Sequence, residues 1–159
     1  EIFTSLQTGA IDACEWVGAY NDVSFGLHKA AKYYYYPGWH EPGPGLETMI
    51  NKEAWESLPA DLQAIVETTC QAITTDMVAE YTHGNAYALQ QLVEDPDVEL
   101  RRFPQEVLDV LKSMTDEIVA EWIADDPAAK KIADSYYAFL EKAAFGQKVT
   151  EQAYLETRS

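Results

Sequence analysis

"KYYYYPGWHEPGPG", residues 32–45, decides how this chain is read. The four consecutive tyrosines suit a pleated, half-buried surface and predict a strand over Lys32–Tyr36. Pro37, Pro42 and Pro44 stop both strand and helix, because each removes a backbone donor and restricts the residue before it. Trp39, His40 and Glu41 are thereby held at a stiff break directly after a strand. Two readings fit that placement: a tight turn over an aromatic core, or a ligand site at the end of a strand.

Upstream, "EIFTSLQTGAID" opens as a helical turn that Gly9 can end in the left-handed conformation. "IDACEWV" reads as a short strand centred on Ala13–Val17 and closed by Gly18. "AYNDVSFGLHKAA" reads as helix, weakened by Gly26. Downstream of the break, Leu46–Ile50 alternates like another strand.

From Pro59 the pattern becomes helical. Leu62, Ile65, Val66, Ile73, Met77, Tyr81, Ala88, Leu89 and Leu92 recur at helical spacing, with no proline before Pro96. That predicts a helix from Pro59 to Glu94, on the order of 50 Å long at 1.5 Å per residue, with Gly84 and Asn85 as the place for a bend. Val98–Arg101 follows as a strand. Pro104 starts a helix with Val107, Leu111, Met114, Ile118 and Trp122 on one face. Asp126-Pro127 caps a second, with Ile132, Tyr136, Phe139, Leu140 and Ala143 inward. Gly146 should end it and Thr150 cap a last short helix. The expected fold is α/β and helix-dominated, with a small sheet of four short strands.

At 159 residues the chain is long enough for one domain. Eleven basic against 27 acidic residues give a net charge of −16, which argues against nucleic acid and anionic membranes and favours cations. No apolar run approaches the roughly 20 residues that span a bilayer. Cys14 and Cys70 lack metal-ligand spacing and read as two buried free thiols. His28 and His83 read as solvent-facing on helices. A zinc hydrolase built on His28, His40 and Glu41 has no HExxH pair to place two ligands on one face. The opening Glu1 is that of a processed protein or of a piece of a longer one.

Three stretches carry a resemblance. "SLQTGAIDACEWVG" resembles a signature in the second half of the periplasmic solute-binding proteins of TRAP transporters, where a helix feeds a strand crossing between two lobes. "LPADLQ" (Leu58 to Gln63) is similar to a helix opening found across that family. "GWHEPG" (Gly38 to Gly43) resembles the subgroup that binds 2-oxo and 2-hydroxy acids. The specific motifs run from Glu1 to about Val66, and the rest matches in helical character alone.

The resemblance implies the C-terminal half of a two-lobe periplasmic-binding-protein-like fold. It implies a single partial domain: hinge strands and ligand-site motifs in 1–51, the long helix and a strand in 52–102, and C-terminal helices, exchanged between subunits, in 103–159. It implies a non-enzymatic periplasmic protein that binds a small organic acid with a sodium or calcium ion and serves TRAP membrane permease subunits. The metal would meet Glu15 and Trp16, partly through backbone carbonyls, and the carboxylate of Glu41. Trp16, Trp39 and Glu41 would meet the substrate, the two indoles as flat apolar walls. A metal bridging Glu41 to an anionic ligand cancels charges that otherwise repel. The family's carboxylate-pairing arginine lies in the first half; here the arginines are Arg101, Arg102 and Arg158.

Blander readings stand beside these. Glu41 is otherwise a surface-turn carboxylate, and at Glu15 the backbone can serve whatever the side chain does. His40 is a hydrogen-bonding neighbour or a surface residue rather than a ligand. Most of the tyrosine run is packing, with Tyr34 or Tyr36 the member placed to reach a cleft. The alternative for the whole chain is a helical association module without ligand binding. Both readings imply a homodimer through the C-terminal helices, because those faces exceed what half a fold can cover.

Overall fold

The computed structural model describes residues 1–39, 41, 43 and 45–158. His40, Pro42 and Pro44, and with them the roles expected of His40 and of the last two prolines, lie outside the described residues. The fold is helix-dominated α/β, as expected, and divides into two compact units, Glu1–Phe103 and Pro104 onward.

In the first unit, α1 (Ile2–Thr8) ends at Gly9, whose φ of 71° is the left-handed cap its sequence predicts. Next comes α2 (Ala19–Ser24), and Gly26 (φ 70°) turns the chain into a 3-10 turn, Leu27–Lys29. The single helix expected over 19–31 is therefore two pieces. β1 (Tyr33–Tyr36) ends at Pro37. Asn51 accepts a hydrogen bond from the Ala54 backbone N–H (3.1 Å) and so caps α3 (Lys52–Ser57), a helix the sequence reading missed. The long α4 (Ala60–Glu94) runs 35 residues, as its periodicity predicts, and passes through Gly84 and Asn85 as continuous helix.

β2 (Glu99–Arg102) pairs with β1 in parallel, Tyr33 opposite Glu99 and Tyr36 opposite Arg102. The backbone bonds Glu99 N–H to Lys32 C=O and Phe103 N–H to Tyr36 C=O, both 2.8 Å, extend the ladder at each end. On one sheet face Arg101 lies 3.8 Å from the centre of the Tyr33 ring and Tyr35 stacks on Phe103 at 4.9 Å. Tyr34, on the other face, packs against the core of Ala19, Ala88, Leu92 and Val98.

Two of the four expected strands are absent among the described residues. Ala13–Val17 and Leu46–Ile50 belong to no helix or sheet. Side-chain alternation shows that a segment suits a pleated surface, but a strand exists only where a neighbour supplies its ladder.

Gly84 and Asn85 turn out to be a docking point. A Cβ on Gly84 would lie 2.8 Å from Cγ of Tyr20, so only glycine lets that ring sit against α4. Asn85 Oδ1 accepts from the Tyr20 backbone N–H at 2.9 Å, satisfying one of the orphan donors at the start of α2.

The second unit holds α5 (Gln105–Ala124) and α6 (Pro127–Gln147). Asp126 Oδ1 accepts from the N–H groups of Ala128 and Ala129 (2.8 and 3.2 Å), and Pro127 sits in the first turn, as predicted. Gly146 does not end α6. The helix continues through a π-helical turn, Lys148–Gln152, into α7 (Ala153–Glu156), and Thr150 donates back to the Gly146 carbonyl (2.8 Å) instead of capping a new helix. The inward faces expected here are also corrected. Trp122, Ile132 and Phe139 are each 71–72% exposed, and Met114, Ile118, Tyr136 and Leu140 are exposed too. Periodicity identifies an apolar stripe but not what covers it.

Candidate functional site

The first unit contains a cavity of about 870 Å³. Its wall includes segments that lie apart in sequence: residues 13–18 ahead of α2, Ala19 and Asp22 of α2 itself, β1, and the Pro37-Gly38-Trp39 break with Glu41. All four residues singled out from the sequence, Glu15, Trp16, Trp39 and Glu41, line it. The chain passes from the first pair to the second by way of α2 and β1, so the paired motifs converge only through folding.

Trp16 and Trp39 are roughly half exposed, at 42% and 46%, presenting indole surface to the cavity. Phe25 meets the Trp16 ring edge to face, 5.6 Å between centres at 75°. Glu15 and Glu41 add exposed carboxylates. Tyr34 and Tyr36, the tyrosines expected to reach a cleft, both line the wall, as does Tyr35.

Sequence reasoning missed Asp22. The Tyr34 hydroxyl donates to Asp22 Oδ2 at 2.6 Å, a short hydrogen bond to a carboxylate, while Asp22 Oδ1 is buried with no protein partner. Burial pushes the Asp22 carboxyl above its ordinary value, opposed by the Tyr34 bond and reinforced by the Glu15 charge. The Tyr34 phenol is raised by burial and then by Asp22. In sequence Asp22 is indistinguishable from any acidic residue in the first turn of a helix, where the dipole favours it. No local signal marks it.

Two further expectations change at this cavity. Cys14 is free but exposed rather than buried, its thiol raised by partial burial and by the nearby Asp22 and Glu15 charges; Cys70 is free and half-buried. His28 is half-buried, with Nδ1 enclosed and unpartnered, and lines the cavity instead of facing solvent. His83 is exposed on α4, as expected, beside the Tyr87 ring.

Hard cations such as sodium and calcium take oxygen ligands. The Glu15 and Glu41 carboxylates and the Trp16 backbone carbonyl are donors of that kind, and all three residues line the cavity. Among the described residues no three His, Cys, Asp or Glu side chains form a cage. The donor set thus fits a cation that draws its remaining ligands from backbone oxygens and from a bound anion.

Residues 1–126 match the family model described as bacterial extracellular solute-binding protein, family 7. A monocarboxylate 2-oxoacid-binding periplasmic protein of Nostoc sp. is 37% identical over 154 residues, covering 97% of this chain and 42% of the relative. A TRAP periplasmic solute-binding protein from Pseudoalteromonas atlantica, solved with bound sodium and pyruvate, superposes with a TM-score of 0.90 at 41% identity. It is covered to 47%, against 98% of this chain. One from Colwellia psychrerythraea, solved with calcium and pyruvate, gives 0.92 at 37% identity, covering 99% of this chain and 48% of that one. A third, from Bordetella bronchiseptica, is a mixed-occupancy dimer with calcium and picolinate in one site; it gives 0.91 at 34% identity, covering 99% and 46%. The chain thus spans somewhat under half the length of each of these proteins. By the extent of the family match, and by identity and fold along nearly its whole length, this chain belongs to the bacterial extracellular solute-binding proteins of family 7.

Proposed function

We propose that the chain forms one wall of the ligand site in a periplasmic, non-enzymatic solute-binding component of a TRAP transporter. The ligand is a small 2-oxo or 2-hydroxy monocarboxylate taken together with a sodium or calcium ion, and the bound acid is passed to the TRAP membrane permease subunits. The observation that carries this is the convergence of Glu15, Trp16, Trp39 and Glu41 on one cavity. Glu41, Glu15 and the Trp16 carbonyl hold the cation; Trp16 and Trp39 flank the carbon skeleton of the acid. Bound there, the cation offsets the repulsion between an anionic ligand and a chain of net charge −16. The ligand motifs fall in residues 1–51, and residues 103–159 serve a homodimer. The alternative, helical association alone, finds no support in the relatives, two of which were solved with a cation and pyruvate.

Calorimetry with pyruvate in sodium or calcium buffer tests the site. Glu41→Gln keeps the size and removes the charge, so affinity for acid and cation should fall together by about tenfold or more, the scale of one lost charged contact. Unchanged affinities in Glu41→Gln, measured in a full two-lobe protein, would remove Glu41 from the site.

A further inference from the structure

The two ligand-bearing segments, residues 13–17 and 37–41, share a property: among the described residues, neither is part of a helix or strand. Something else must hold Glu15 and Trp16 at a working distance from Trp39 and Glu41. Each segment is attached to a regular element at one end. The first runs through Gly18 directly into α2, and the second leaves directly from the end of β1.

Those two elements are joined by the Tyr34–Asp22 hydrogen bond, 2.6 Å from the β1 hydroxyl to the α2 carboxylate. Both ends of this bond are stiff. The Tyr34 ring packs against the core of Ala19, Ala88, Leu92 and Val98, and the β1–β2 ladder fixes its backbone. On the other side α2 is pinned to α4 where Asn85 receives the Tyr20 N–H, with Gly18 close against the same Asn85 side chain. The bond is half-buried and ends on a carboxylate, conditions under which a hydrogen bond is strong and costly to leave unmade.

We propose that the Tyr34–Asp22 bond is a strut that sets the separation of the two ligand-bearing segments, making Tyr34 and Asp22 positioning residues for the acid-plus-cation site. Neither touches the cation in this scheme. They act by holding α2 and β1 in register, so that oxygen donors from both segments reach one ion. The inference rests on the binding function proposed above and adds to it which residues outside the motifs the affinity depends on.

The experiment compares the unsubstituted chain with Tyr34→Phe, Asp22→Asn and Leu92→Ala, by calorimetry with pyruvate in sodium or calcium buffer and by amide hydrogen exchange. All measurements are made at a temperature where circular dichroism shows each variant folded. Tyr34→Phe keeps the ring and loses the donor; affinity for acid and cation should drop together by about tenfold, and exchange should quicken in both 13–18 and 37–41. Asp22→Asn keeps an oxygen acceptor for the hydroxyl but loses the charge that strengthens the bond, so its affinity should fall between those of Tyr34→Phe and the unsubstituted chain. Leu92→Ala loosens the core on which the Tyr34 ring rests but keeps the hydroxyl and its bond, so once folded it should bind more tightly than Tyr34→Phe, which separates loss of the bond from loss of stability. Tyr34→Phe binding like the unsubstituted chain overturns the strut. If the unsubstituted chain itself gives no heat, the binding function fails, and unchanged exchange in Tyr34→Phe then overturns the strut independently.

Discussion

The two units of this chain are both built on long helices, yet they bury very different amounts, and the more clearly one-sided helices bury less. In the first, α2, the end of α4 and the β1–β2 pair enclose Leu92 to 1% exposure, together with Ala19, Ala88 and Val98. In the second, α5, α6 and α7 contain no buried residue among those described, although α5 carries Trp122 and α6 carries Ile132 and Phe139. The same contrast occurs inside α4, where Ile65 and Ile73 stay exposed near one end and Leu92 is enclosed at the other. An amphipathic helix forms because its stripe can be covered; where the cover is, the helix does not say.

The largest effect that could break this comparison is expected at Leu92. Leu92→Ala removes the most enclosed side chain and should cost about 2–5 kcal/mol of unfolding free energy by urea titration. Phe139→Ala, a larger truncation on an exposed face, should cost less than about 0.5 kcal/mol in dilute monomer. If Phe139→Ala instead costs as much as Leu92→Ala, and does so increasingly with protein concentration, a second subunit covers that face as the homodimer reading requires.

A middle effect is expected at Gly84. Alanine there puts a Cβ within 2.8 Å of the Tyr20 ring, so α2 must retreat from α4. Overpacking of this kind costs about 1–3 kcal/mol. Gly146→Ala meets nothing within 4 Å in the second unit and gives the matched control, expected to leave the urea midpoint unchanged or slightly raised. Equal losses from the two substitutions would contradict the docking role of Gly84.

The smallest effect is electrostatic. Hydrogen bonds from Lys32 and Arg101 hold the Glu99 carboxyl below its usual range. A carboxylate whose folded-state pKa is depressed binds fewer protons folded than unfolded within the window between the two values. Its contribution is therefore present above the ordinary glutamate pKa and is lost as pH falls through the depressed one. Because the pair is solvent-exposed, the effect should be slight. Urea midpoints measured downward from about pH 6 should decline less steeply in Glu99→Gln than in the unsubstituted chain, and identical slopes would remove the pair from any role in the first unit's stability.

What was legible in the sequence was legible for local reasons. The left-handed cap at Gly9, the Asp126-Pro127 start of α6, the strand of tyrosines and the full run of α4 each follow from backbone chemistry or periodicity within one segment. The motifs that line the cavity could be singled out because Glu15-Trp16 and the Trp39–Glu41 stretch are each short continuous strings. Asp22 was unreadable, since its role comes from Tyr34, which reaches it only once β1 lies beside α2. Gly84 and Asn85 misled for a related reason: helix-weakening residues in mid-helix look like a bend until Tyr20 is seen lying against them.

By itself, then, the sequence determined where the long helices begin, which stretches suit a pleated surface and the acidic character of the chain. Only the tertiary structure decided which stretches become strands, which apolar faces are covered, and that two motifs far apart along the chain share one cavity. The physical reason is that propensity, capping and periodicity act over a few bonds. Ladder pairing, burial and convergence are properties of neighbours brought close by folding.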